Sequence, residues 1–106
     1  VMSRRIATQL TELMVGVVTS GTGGSGAIAE AQVAGKTGTA ELGPKPGQDD
    51  LGPDDVPEQM VDAWFIAFAP AEQPRLAVAV MLIDADADGG TVAAPAAAQV
   101  LAAGLG

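Results

Sequence analysis

Two apolar runs parted by a short proline-bounded break constrain this chain more than any other feature. The first is Ala63-Trp64-Phe65-Ile66-Ala67-Phe68-Ala69, and the second is Leu76-Ala77-Val78-Ala79-Val80-Met81-Leu82-Ile83. Both are apolar at odd and even positions alike, which predicts strands over 62–69 and 75–84, the first with both faces buried. Between them lies Pro70-Ala71-Glu72-Gln73-Pro74, whose prolines cannot donate to a ladder. A connection this short fits an antiparallel hairpin, because a parallel neighbour needs a crossover of about a dozen residues. Leu76, Val78, Val80 and Leu82 share one face of the second strand. Ala77, Ala79, Met81 and Ile83 share the other, and the alanines there predict the side on which a helix approaches closely.

The flanking segments read as helices and one further strand. Ile6, Leu10, Leu13, Met14 and Val17 recur at helical spacing and predict a helix over about 3–19, its apolar face turned to the core. Ser3 can cap its start. Ser20-Gly21-Thr22-Gly23-Gly24-Ser25-Gly26 ends it in a flexible turn, since each interior glycine costs a helix about 1 kcal/mol. Val33-Ala34-Gly35-Lys36-Thr37-Gly38-Thr39-Ala40-Glu41 predicts a strand over 32–41. Glycine inside a strand marks close approach by another backbone or a ligand. Residues 43–61 hold four prolines and five acids and read as a long acidic loop. A last helix is expected over 91–103, capped by Thr91, with Pro95 in its first turn, Ala93, Ala97, Val100 and Leu101 on one face, and Gly104 at its end. The fold class is α+β, an antiparallel sheet of three strands with helices packed on its faces.

Composition narrows the chemistry. The 106 residues allow one small domain with a thin core. No Cys and no His exclude a disulfide scaffold and remove the commonest metal ligand and general base. A net charge of −8 argues against nucleic acid as a partner. The 48% hydrophobic content argues against a disordered acidic tail. Alanine and glycine make up about a third of the chain, 21 and 14 residues respectively. No run reads as a membrane span and no leader is visible at the start. The first residue is Val, and the chain is expected to be a piece of a longer protein.

Three glycine motifs compete. Gly21-Thr22-Gly23-Gly24-Ser25-Gly26 matches the dinucleotide fingerprint literally, but a helix precedes it where a strand is required. Gly35-Lys36-Thr37 resembles the end of a P-loop, but Glu30 stands where that motif needs glycine, and the glycines and prolines that follow forbid the helix that would hold a phosphate. The third reading is Lys36-Thr37-Gly38-Thr39 as a motif on a strand. With Gly21-Thr22-Gly23 after a helix before it, and Ala63-Trp64-Phe65-Ile66-Ala67-Phe68-Ala69-Pro70 and an Ala-rich helix after it, this order resembles the C-terminal part of the penicillin-binding protein transpeptidase domain. The class B, monofunctional type is the most similar, and the resemblance spans residues 1–106.

The resemblance implies a serine acyltransferase of the penicillin-binding and serine β-lactamase-like fold. Of its three motifs, Ser-x-x-Lys, Ser-x-Asn and Lys-Thr-Gly, this chain holds only the last. Ser3, Ser20 and Ser25 begin neither of the others, and the chain has no Asn. A hydroxyl without an adjacent base is a poor nucleophile, so the chain alone is expected to be inactive. By resemblance, Lys36 draws the substrate carboxylate and supports proton transfer, and the Thr37 and Thr39 hydroxyls bind that carboxylate. The Thr39 backbone N–H forms half of an oxyanion hole, a donor whose loss costs about 10²–10³ in rate. Gly38 lets substrate backbone lie along the strand. Lys on an edge strand also deters aggregation, and Trp64 and Phe65 suit a core better than a ligand site.

The implied activity is D,D-transpeptidation of peptidoglycan stem peptides ending in D-Ala-D-Ala, with β-lactams as acylating ligands and no cofactor. The remainder of the transpeptidase domain is the implied structural partner, with room for a glycosyltransferase beside the parent. The parent is expected outside the plasma membrane on an N-terminal anchor. A D,D-carboxypeptidase, a serine β-lactamase or a β-lactam sensor shares the fold and stays open. So does a non-catalytic binding module. The edge of the Leu76–Ile83 strand, left open without the rest of the domain, predicts a piece of marginal stability.

Overall fold

The computed structural model describes residues 1–106. α1 (Arg4–Ser20) leads through a 3₁₀ turn (Gly24–Gly26) to β1 (Ala34–Pro44), β2 (Gln59–Ala69) and β3 (Leu76–Leu82). A π-helical turn (Gly89–Ala93) then opens α2 (Ala94–Leu105). The three strands form one antiparallel sheet in the order β1-β2-β3, the α+β class expected. No helix is long and apolar enough to cross a membrane.

α1 starts where Ser3 accepts a 3.2 Å hydrogen bond from the Ile6 N–H, meeting one of the orphan donors of a helix start. It ends where the N–H groups of Gly21 and Gly23 both turn back to the Val17 carbonyl. The glycine-rich segment that follows is ordered packing, not a slack turn. A Cβ on Gly26 would come within 2.6 Å of Phe65 Cζ, one on Gly35 equally close, and one on Gly23 within 3.0 Å of Phe65 Cε2. Three glycines thus wall the Phe65 ring, and any side chain there would displace it.

The core lies on the Phe65 side of the sheet. Phe65, Ala67 and Ala69 of β2 meet Val18 of α1, Val33 before β1, and Ala93, Ala94, Ala97 and Leu101 at the start of and along α2. Both helices feed this one cluster. α2 lies on the Leu76, Val78 and Val80 side of β3, not on the Ala77 and Ala79 side that the small residues had suggested. Close approach is granted by the helix instead, through its own alanines and through Gly104, where a Cβ would overlap the Leu76 side chain. Gly104 therefore lies inside the helix and does not end it. Val100, expected on the buried face, is half exposed, and Ala94 takes its place.

The other sheet face is bare. Trp64 and Ile66 are 38% and 45% exposed, so β2 is buried on one face only. The apolar stripe of α1 is open too, with Leu13 at 70% exposure, and the helix buries Val18 instead. Amphipathic spacing marks a face that wants cover, and this length of chain covers only part of what it marks.

The hairpin between β1 and β2 is longer than sequence suggested. β1 continues to Pro44 through an irregularity at Leu42, where the register shifts between Glu41 and Gly43, and β2 starts at Gln59. Residues 45–58 remain as a tip, closed by Gln48. Its amide donates to the carbonyls of Lys45 and Glu58 and accepts from the Glu58 N–H. Gly43, Pro44 and Gln59 carry little strand propensity, so only pairing with a distant partner makes them strand. β3 is shorter than expected, ending at Leu82. Asp84 adopts φ +50 and the Ala85 N–H reaches across to Val61 O at 2.7 Å.

Candidate active site

β1 carries Lys36-Thr37-Gly38-Thr39 along a free edge of the sheet. Strand alternation and register divide these residues between two faces. Lys36 is paired with Ile66 and Gly38 with Trp64, on the bare face. Thr37 is paired with Phe65 and Thr39 with Ala63, on the core side. Lys36 is exposed, and its Nζ donates to the Thr37 carbonyl at 2.6 Å. A Cβ on Gly38 would press on Trp64 Cβ at 3.3 Å, so glycine there also accommodates the neighbouring strand.

Thr37 and Thr39 open into a groove bounded by the glycine turn on one side and the start of the π-helical turn on the other. Its walls carry Thr22, Ser25, Asp88 and Thr91 with glycines between them, and no apolar side chain lines it. Thr22 Oγ1 and Thr37 Oγ1 are hydrogen-bonded at 2.9 Å. The Asp88 carboxylate accepts from Thr91 N at 2.9 Å and Thr91 Oγ1 at 3.2 Å. Asp88, rather than Thr91, is thus the residue that caps the last helical segment. Hydroxyl donors grouped on a strand edge suit an anionic oxygen.

Lys36 does not line this groove; its alternation turns it to the opposite face. The nearest depression, which shares Thr39 and Asp88, holds Lys45. Lys45 Nζ lies 3.7 Å from Glu58, 3.9 Å from Asp84 and 4.0 Å from Asp86, so its charge is matched by three exposed acids. No group of side chains is arranged to hold a metal ion. No serine hydroxyl is hydrogen-bonded to a base: Ser3 caps α1, and Ser20 Oγ turns back to the Gly16 carbonyl.

Sequence reasoning missed Thr22, Asp88 and Thr91 as groove residues. Asp88-Gly89-Gly90-Thr91 carried a capping signal, an oxygen acceptor followed three residues later by Thr, but nothing local ties it to β1. Of the aromatic pair, Phe65 is core as expected, while Trp64 lies on the open face.

Comparison with known proteins agrees with this fold. The family described as the penicillin binding protein transpeptidase domain matches residues 1–102. The peptidoglycan D,D-transpeptidase PbpA of Mycolicibacterium smegmatis is 43% identical over 108 residues, covering 98% of this chain and 20% of that protein. The crystal structure of PBPA from Mycobacterium tuberculosis superposes with a TM-score of 0.72 at 38% identity, over 99% of this chain and 22% of the other. The imipenem acyl-enzyme complex of penicillin-binding protein A from M. tuberculosis gives a TM-score of 0.64 at 40% identity, over 96% of this chain and 20% of the other. A strand-borne Lys-Thr-Gly-Thr beside a polar groove, in a sheet with this helix order, therefore defines a class of protein. The chain belongs to the penicillin-binding protein transpeptidase domain family. It spans about a fifth of the length of the curated relatives it matches.

Proposed function

We propose that this chain is the substrate- and β-lactam-binding part of a serine D,D-transpeptidase that cross-links peptidoglycan stem peptides. The observation that carries the reading is the placing of Lys36-Thr37-Gly38-Thr39 on a free sheet edge, with both threonines opening into an all-polar groove. The relatives named D,D-transpeptidase and the imipenem acyl-enzyme relative support it.

In this reading a serine from another part of the longer protein attacks the carbonyl of the penultimate D-Ala. The C–N bond to the terminal D-Ala breaks, and that residue leaves as the amine with the serine's proton. A stem-peptide amine then displaces the acyl-serine and forms the cross-link. The stem peptide lies along β1 as an added antiparallel strand, where Gly38 leaves room. Thr37 and Thr39 hydroxyls donate to its terminal carboxylate, and the Thr39 N–H donates to the developing oxyanion. Lys36 works from the bare face, the one the remainder of the domain would cover. There its ammonium assists proton movement and adds positive potential near the carboxylate. The parent acts outside the plasma membrane, on an N-terminal anchor, in contact with a glycosyltransferase that supplies the glycan strands. No cofactor is needed.

A fluorescent penicillin applied to the longer protein tests this. The expected result is one covalent label on a serine outside these residues, with the isolated chain unlabelled. A slow loss of the adduct is expected, and fast deacylation would reassign the parent as a β-lactamase. No label on the longer protein would leave a non-catalytic binding module as the reading.

A further inference from the structure

We propose that Thr22 is a positioning residue for the carboxylate subsite, acting through Thr37; the inference rests on the function proposed above. A threonine hydroxyl has one proton and two acceptor positions. In the 2.9 Å Thr22–Thr37 pair either oxygen can donate. When Thr22 donates, the Thr37 proton is free to point out of the pair, toward an anion in the groove. When Thr37 donates, its proton is spent. A bound carboxylate selects the first arrangement, in which Thr22 holds the Thr37 rotamer and, by donating to its oxygen, polarises the Thr37 O–H toward the anion.

The backbone around Thr22 is held equally closely. A Cβ on Gly90 would overlap the Thr22 carbonyl, and a Cβ on Gly89 would overlap the Trp64 carbonyl and lie 2.7 Å from the Gly38 carbonyl. The double glycine at the start of the π-helical turn therefore packs directly against both the Thr22 turn and the motif strand. Asp88, the groove's one carboxylate, is engaged by Thr91. The hydroxyl pair is thus left, beside the Thr39 and Ser25 hydroxyls, to face a ligand anion. Thr22 lies fifteen residues before Thr37, on a different element, so it completes the subsite only in the folded chain.

The test uses the longer protein and a fluorescent penicillin, beside the same penicillin with its carboxylate methylated. Thr22→Val keeps the shape and removes the hydroxyl. It is expected to slow acylation by the acid about five- to tenfold, the worth of one hydrogen bond, with no further slowing of the ester. Thr22→Ser is expected to acylate near the wild-type rate. Thr22→Val/Thr37→Val is expected to be no slower than Thr37→Val alone, since both act through one hydroxyl. Wild-type rates in Thr22→Val would overturn the inference. So would equal slowing of acid and ester, or a Thr22→Ser variant as slow as the valine. An unlabelled wild-type protein, or Thr37→Val without effect, would instead overturn the proposed function and this inference with it.

Discussion

Phe65 shows how much of this protein rests on single residues. It is one of two large side chains that are fully buried, and three glycines from two segments close on its ring. Truncation leaves a ring-sized hole that rigid neighbours cannot fill. Phe65→Ala is therefore expected to lower stability by about 3–5 kcal/mol, read from urea unfolding. Gly26→Ala makes the opposite error, forcing a methyl into the ring, and is expected to cost about 1–3 kcal/mol in the same measurement. That Phe65 is core was legible from its strand. That Gly23, Gly26 and Gly35 surround it was not, because glycine's role there is the absence of a Cβ opposite a residue far away in sequence. Lys36 is the contrasting case. It is exposed and its side chain's one hydrogen bond is to its neighbour's carbonyl, so Lys36→Met should leave the unfolding midpoint of the isolated chain unchanged. The same change in the longer protein is expected to slow penicillin acylation by about 10²-fold or more, because an ammonium that assists proton transfer is gone.

At the scale of elements, α2 and the hairpin arm carry the clearest expectations. Asp88 caps the π-helical turn that starts α2, through two hydrogen bonds to Thr91. Asp88→Ala is expected to cost about 0.5–2 kcal/mol, seen as a lower unfolding midpoint. The arm's ion pairs carry much less. Lys45 faces Glu58, Asp84 and Asp86, whose side chains are 77%, 57% and 99% exposed, and water screens such pairs. Lys45→Met should shift the same midpoint by less than about 0.5 kcal/mol. Sequence placed each helix and strand close to where it lies, since periodicity is a local signal. It misjudged which face of β3 meets α2. Small residues on a strand and small residues on a helix are equally good ways to bring the two together, and the helix supplied them.

At the scale of the molecule, only 17 of 106 residues are buried, though nearly half are hydrophobic. The shortfall is concentrated on the bare sheet face, on the α1 stripe and at the free edges of β1 and β3. Exposed apolar faces and unpaired edges favour association. The isolated chain is expected to bind a hydrophobic dye and to self-associate in sedimentation experiments. The net charge of −8 opposes this at low ionic strength, so association should grow as salt is added. A monomeric isolated chain that binds no dye at high salt would contradict the expectation.

The sequence by itself determined the elements, their antiparallel order and the identity of the Lys36–Thr39 strand, because alternation, helical spacing and turn chemistry act over a few neighbouring residues. Tertiary structure alone decided the company that strand keeps. It decided which face of the sheet took Lys36 and which took the two threonines, brought Thr22 and Asp88 to the groove, and packed glycines against Phe65 and the motif strand. Each of these depends on register and on contacts between distant segments, which no local pattern encodes.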